Sequence, residues 1–387
     1  AKTVVSLLAA DCTGSLSPSE ASIKLYGSHG LSVHECKPPR ERRPASPEDL
    51  ELLLQFANFG PTRPSDLFLN IWHDALRALD HDPLAGLVSP PLMGSSGVIP
   101  LTFIGPTPDI CRHMSNLIAR ADKEVILVTR YWKESNASRL ITDSIKELSV
   151  RAGQQGQRAV VKIIYDKGGP KQVFNNHLYV SSNRWTASGI GLPAADENPN
   201  VDMEVINSHH PILGTFHVKF MVVNRKFAVV CSNNIQDNDN LEMMTHLEGA
   251  ILDSLYDAAL ITWHDKLDPP LPLISVGTSQ VQLQSTFKQP SFHELVQHAD
   301  FFSSQIHNPG DPHNESEIAG EVIRVQSAVT PKNGQKVMDL VTGHLNTSTG
   351  QTLRGDAPDC PSSENMTPFI PHAVHGSFPI ALVNRKP

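Results

Sequence analysis

Apolar and polar positions alternate differently on the two sides of residue 99. Before it, two stretches carry apolar residues at helical spacing. One is Glu48-Asp49-Leu50-Glu51-Leu52-Leu53-Leu54, with Ser46 placed to cap its start. The other is Leu67-Phe68-Leu69-Asn70-Ile71-Trp72-His73-Asp74-Ala75-Leu76. Pro38-Pro39 and Pro44-Ala45-Ser46-Pro47 separate them from what precedes. The opening apolar run, Ala1 to Ala10, ends at Asp11 and predicts a buried strand or helix, not a signal peptide.

After residue 99 the pattern becomes strand, helix, strand. Ile110, Met114, Leu117 and Ile118 predict a helix over 110–121, and the short β-branched run Glu124 to Thr129 predicts a buried strand. A helix through Arg139–Leu148 and a second buried strand, Ala159–Tyr165, follow. Units of this length favour right-handed crossovers and a mainly parallel sheet. Residues 216–231 read as a hairpin whose turn begins at Asn224, and Ser254–Trp263 as a helix. Beyond Pro269-Pro270 the chain turns polar and irregular, until Phe378–Lys386 resembles one more strand. The expected organisation is therefore an N-terminal helical region (1–98), an α/β domain (99–270) and an irregular linker (271–387). That linker leads into the start of a second half.

Composition narrows the class. The chain has 387 residues, 40% hydrophobic and 19% charged, which suits a folded core and not a disordered chain. No run of about 18 apolar residues predicts a membrane-spanning helix. With 32 basic and 40 acidic residues the net charge is -8, which disfavours a dedicated duplex-DNA binder. The five cysteines are scattered, with no C-x-x-C pair, so neither a disulfide framework nor a cysteine zinc site is expected. The N-x-S/T sequons at Asn136, Asn314, Asn346 and Asn365 read as chance in an intracellular chain, one able to make peripheral contact with a membrane.

One constellation carries chemistry. His217-x-Lys219 is followed by Asn224, by Cys231-Ser232-x-Asn234 and by Glu248. Residues two apart on a strand share a face, so His217 and Lys219 can meet one ligand, and the hairpin brings Ser232 and Asn234 back beside them. An imidazole, an ammonium, a hydroxyl and an amide together suit a phosphate.

The spacing resembles the phospholipase D superfamily signature, H-x-K-(x)4-D-(x)6-G-S-x-N. His217, Lys219, Ser232 and Asn234 fall on its positions; Asn224 replaces the Asp and Cys231 the Gly. The resemblance spans about 99–265. It implies a phospholipase D-like α/β fold and a two-step phosphoryl transfer without metal or cofactor. In that reaction His217 becomes a phosphohistidine, Lys219, Asn234 and Ser232 hold the phosphoryl oxygens, and Glu248 orients the imidazole. Asn serves a turn as well as Asp does. A Gly at 231 would serve a close backbone approach or an unusual dihedral.

A second histidine has to protonate the leaving oxygen, and the superfamily takes it from a second H-x-K motif. His375-Gly376-Ser377 lacks the lysine, and His264-Asp265-Lys266 reads as a helix end. The expectation is a second half in sequence after Pro387, or a dimer partner. Arg130-Tyr131-Trp132, at a strand's carboxyl end, either line the pocket or cap the core. His209-His210 read as loop histidines and Lys162, Lys167 and Lys171 as surface lysines. Asp237, Asp239 and Asn240 lack the rest of a calcium loop, and Arg40–Arg43 reads as a solvated loop. Three functions fit: a phospholipid hydrolase or phosphatidyltransferase, a nuclease or other phosphodiesterase, and a catalytically silent phosphate- or lipid-binding relative.

Overall fold

The computed structural model describes residues 2–27, 44–80, 82–168, 172, 175–187, 189–209, 216–238 and 240–277, with short pieces at 334–336, 339–340, 369–371 and 377–384. The described helices are α1 (Val4–Ala9), α2 (Pro18–Tyr26), α3 (Pro47–Phe56), α4 (Asp66–Leu76), α5 (Thr107–Ala119), α6 (Asn136–Gln154), α7 (Ser182–Trp185) and α8 (Ile251–Trp263). The strands are β1 (Gly94–Gly105), β2 (Glu124–Val128), β3 (Ala159–Tyr165), β4 (His177–Tyr179) and β5 (Val201–Ser208). The rest are β6 (Phe220–Val223), β7 (Phe227–Cys231), β8 (Glu242–Glu248), β9 (Phe369–Pro371) and β10 (Phe378–Ala381). Arg40–Arg43, Lys171, His210, Asp239, His375 and most of the expected linker lie outside the described residues. Among the described residues no helix is long and apolar enough to cross a membrane.

The chain divides into two compact units. The first joins Ala1–Val98 to Glu248–Val281 and His375–Pro387, so α8 belongs with the N-terminal helices although the sequence groups it with the α/β region. Helices α1, α2 and α3 each begin with a reciprocal cap, Thr3 with Ser6, Ser17 with Glu20 and Ser46 with Asp49. Asp257 of α8 explains the grouping. Its buried carboxylate accepts the Val5 N–H at 2.8 Å and the Ser89 N–H at 2.7 Å. Burial raises its pKa, and these two bonds oppose the rise. The first residues of β1 also pair here, antiparallel to β10, with Gly94 opposite Ala381 and Gly97 opposite Phe378.

The second unit is Ile99–Leu247 with Gln282–Val374. Its sheet runs β1-β8-β7-β6-β2-β3-β5-β4, with β9 antiparallel to β1. The centre, β2-β3-β5, is parallel; β6 and β7 pair antiparallel to their neighbours, and so does β4 to β5. Strands β2 and β3 are buried along their whole length, as continuous apolar runs demand when both faces are covered. Ile110, Met114 and Ile118 of α5 share one core with Ile141, Ile145 and Leu148 of α6 and with Val125, Leu127, Val161 and Ile163. Helix α6 starts at the Ser135–Ser138 capping box, and Asp237 accepts the Asn136 and Ala137 N–H groups at 3.0 Å each. Asp237 is thus a helix cap, the role in which its carboxylate complements the helix dipole.

Lys162 departs from the expectation of a surface lysine. It is 1% exposed on β3 and pairs with Glu204 of β5. The register sets the two residues side by side, and a buried ammonium persists only with such a partner.

Candidate active site at one end of the sheet

Register alone collects the motif. Strands β2, β3 and β5 finish at the end of the sheet where β6 begins, since Val128 lies opposite both Phe220 and Ile164, and Tyr165 opposite Asn207. Strand β7 finishes there too, with Val230 opposite Phe220, and β8 begins there, with Met244 opposite Cys231.

His217 and Lys219 occupy a stretch without regular structure just before β6 and not the strand itself. Beyond Phe220 the neighbour on one side, β2, has ended. Pairing with β7 continues one step further, the Cys231 N–H donating to the Lys219 carbonyl at 3.1 Å. The spacing of two still brings both side chains together. Lys219 Nζ lies 3.3 Å from His217 Nδ1 and 3.1 Å from the His217 carbonyl.

The pair is electrostatically tuned. Burial lowers the pKa of His217, and the charges of Lys219 and Arg130 push the same way. Burial also lowers that of Lys219; Cys231 and Glu242 oppose the shift and Arg130 adds to it. The result is a neutral imidazole, holding a lone pair, beside two cations.

Ser232 and Asn234 arrive from β7 in different states. The Ser232 hydroxyl donates to Glu242 at 2.5 Å and accepts the Met243 N–H at 2.8 Å, so its bonds fasten β7 to β8. Asn234 Oδ1 is buried with no hydrogen-bond partner among the described residues. That oxygen is an acceptor; only the amide nitrogen beside it could donate to a phosphoryl oxygen.

The two motif departures have local explanations. Asn224 and Arg225 take φ of +52° and +48°, and the Lys226 N–H donates to the Val223 carbonyl at 3.0 Å. A two-residue turn with both central φ positive matches the twist of a hairpin and favours Asn. Asn224 Oδ1 also accepts the N–H groups of Asp122, Lys123 and Glu124 at 3.2, 3.0 and 3.2 Å. Its Nδ2 faces Asp122 Oδ2 at 3.5 Å, where an Asp would bring two carboxylates together. Cys231 is absent from the residues with positive φ, so nothing in its backbone requires glycine. Burial pushes its thiol up to about 12.

The remaining expected residues separate. Arg130 stands near His217 and Lys219, and its carbonyl accepts the Asp166 N–H at 2.8 Å. Tyr131 gives its carbonyl to the Ile235 N–H at 3.0 Å. Trp132 is wholly buried in the core, with its indole N–H on the Ile190 carbonyl at 2.7 Å, and so lines no pocket. Glu248 is carried away from His217. Leu247 lies opposite Ala228, beside the hairpin turn, and β8 reaches the motif with its first residue, Glu242.

Sequence reasoning passed over Glu242 and a second pair. His209 Nδ1 lies 2.5 Å from Asp166 Oδ1, and Asp166 Oδ2 accepts the Phe216 N–H at 3.1 Å. Asp166 follows β3 and His209 follows β5, 43 residues apart, so no local spacing signals them. Among the described residues no cluster of three or more His, Cys, Asp or Glu could hold a metal ion.

No protein-family model matches the chain, and no curated protein does. Among solved structures it is similar to NucT from Helicobacter pylori (16% identity, TM-score 0.28), covering 44% of this chain and 97% of that one. It is also similar to Nuc, a phospholipase D family member from Salmonella typhimurium (15% identity, TM-score 0.27, 43% of this chain and 93% of that one). A phosphatidylserine synthase from Haemophilus influenzae matches at 13% identity and TM-score 0.27, over 56% of this chain and 52% of that one. Motif spacing on a mixed α/β sheet, with the motif residues gathered at one end, is the ground on which the chain resembles the phospholipase D superfamily.

Proposed function

We propose that this chain carries a phosphodiester-cleaving site of the phospholipase D kind, acting on phospholipids by hydrolysis or phosphatidyl transfer. The observation that carries the reading is the Lys219 ammonium 3.3 Å from the His217 imidazole.

In the first step a ring nitrogen of His217 forms a bond to phosphorus as the P–O bond to the leaving group breaks. Lys219, Arg130 and Asn234 offset charge on the non-bridging oxygens. Water or an alcohol then displaces His217, releasing a phosphatidic acid or a new diester. Ser232 acts through Glu242 and Met243, holding β7 in place. Superfamily chemistry at this site is equally compatible with other phosphodiesters. The net charge of -8 and the Glu242 carboxylate on the flank favour a substrate with one phosphate over a nucleic-acid polyanion.

The test is mass spectrometry of the protein and of His217→Ala after brief incubation with a mixed phospholipid extract and an acid-free quench. A phosphatidyl adduct on His217, absent from the variant, is expected, and its mass names the donor lipid. An adduct elsewhere, or one that survives the substitution, overturns the reading.

A further inference from the structure

The expelled alkoxide of an unactivated diester needs a proton, and His217 cannot supply it while serving as nucleophile. We propose that His209 is a catalytic residue of the same site, the imidazole that protonates the leaving oxygen and afterwards deprotonates the incoming water. This inference rests on the phosphodiesterase reading above.

Three observations support it. The first is orientation. Asp166 is 3% exposed on its side chain and holds His209 Nδ1 at 2.5 Å, while the His209 backbone N–H donates to the Asn176 carbonyl at 2.9 Å. A carboxylate on one ring nitrogen fixes the imidazole and leaves Nε2 for proton transfer.

The second is close packing. A Cβ at Gly168 would stand 2.9 Å from His209 Nε2. Glycine at this position lets the backbone pass beside the ring, and any other residue would crowd the working nitrogen.

The third is connection to His217. Strand β3 is two places from β6, about 10 Å at ordinary strand spacing. The Phe216 N–H nevertheless reaches Asp166 Oδ2 at 3.1 Å, so the residue before His217 lies against the residue that follows β3. One carboxylate therefore lies between the His209 ring and the backbone that begins His217. The Asp166 N–H also donates to the Arg130 carbonyl at 2.8 Å, tying in a third member of the site.

The step balances. As the His217 N–P bond forms and the P–O bond breaks, the leaving oxygen takes the proton from His209 Nε2. In the second step water forms a P–O bond, the N–P bond breaks, and the water proton returns to His209 Nε2. Asp166 is a positioning residue throughout.

The experiment compares two substrates on the 387-residue chain. Bis(para-nitrophenyl) phosphate expels a stable phenolate without needing an acid; phosphatidylcholine in mixed micelles does not. His209→Gln is expected to slow choline release by about 10²- to 10⁴-fold and the para-nitrophenolate burst by less than about tenfold. Asp166→Asn and Gly168→Ala should follow the same selectivity, and added imidazole should rescue His209→Ala on phosphatidylcholine. A merely structural His209 would slow both substrates alike and show no rescue, which would overturn the inference. So would a parent chain that forms the aryl phosphate adduct on His217 yet never releases choline. Failure of the His217 adduct with the aryl substrate, in contrast, sinks the phosphodiesterase reading itself.

Discussion

The Lys219 ammonium sits 3.3 Å from His217 Nδ1 and is itself 5% exposed. Nothing separates this buried cation from the more exposed ring, so the ammonium suppresses a positive charge on the imidazole.

The first consequence is a titration. His217 is held below the ordinary imidazole value of about 6.5, first by burial and then by Lys219 and Arg130. Its neutral form therefore persists to lower pH than in a free histidine, and a limb of activity set by this group falls off on the acid side of that value. Followed by NMR, the ring should titrate below about pH 6.5. In Lys219→Met the midpoint should rise, though not fully, because burial is the larger cause. A parent midpoint at or above the ordinary value would contradict the geometry.

The second concerns stability. Lys219 binds its proton less tightly when folded than when unfolded, because burial lowers its pKa. Linkage then makes the charged form a cost to folding near neutrality, relieved only as pH rises toward the unfolded pKa. Lys219→Met should abolish turnover while leaving the urea midpoint unchanged or raising stability by about 1 kcal/mol at pH 7. A clear loss of stability would mean that the ammonium is better compensated than its contacts indicate.

Asn224 is expected to matter for folding before it matters for chemistry. Asn224→Ala strands three N–H groups and keeps a positive φ, for a cost of roughly 2–4 kcal/mol in chemical denaturation. Asn224→Asp restores the superfamily residue but sets a carboxylate against Asp122. It should be the less stable protein, and Asp122→Asn should recover part of the loss. A stabilising Asn224→Asp would refute the pairing.

Cys231 should be slow to react. With its thiol pushed up to about 12, it stays protonated at pH 8, and iodoacetamide should label exposed Cys12 long before it. Cys231→Gly should change turnover by less than about threefold and cost about 1 kcal/mol, the ordinary penalty for glycine within a strand. Rapid labelling at Cys231 would overturn the assignment of burial as the dominant cause.

How much of this was legible beforehand depends on whether a feature is local. The Asn224 turn, the strands around 124–129 and 159–165, and the joint spacing of His217, Lys219, Ser232 and Asn234 all lie within short windows. Strand β1 was missed because it opens with Gly94-Ser95-Ser96-Gly97, poor strand formers that β10 recruits from nearly 300 residues away. Strand β5 was missed because Asp202 and Glu204 break its apolar run. Each pairs with a cation that local reading cannot supply, Arg158 and Lys162. Glu242 gives no local signal, because only the register of β8 tells which end of that strand meets the motif. Trp132 was ambiguous for the same reason, as a residue at a strand's end can turn either way.

The position of Trp132 has a mechanical consequence. Its indole is anchored on Ile190, it bridges Ile235, and the backbone on either side of it exchanges N–H bonds with the same Ile235, from Lys133 at 2.9 Å and to Tyr131 at 3.0 Å. Arg130 is two residues from this clamp on one strand of chain and Asn234 one residue from it on the other. The two groups proposed to meet the phosphoryl oxygens are thus mounted on a single bracket. Their separation is set before any ligand arrives, so charge that builds on phosphorus meets fixed dipoles and need not first drag the chain into place.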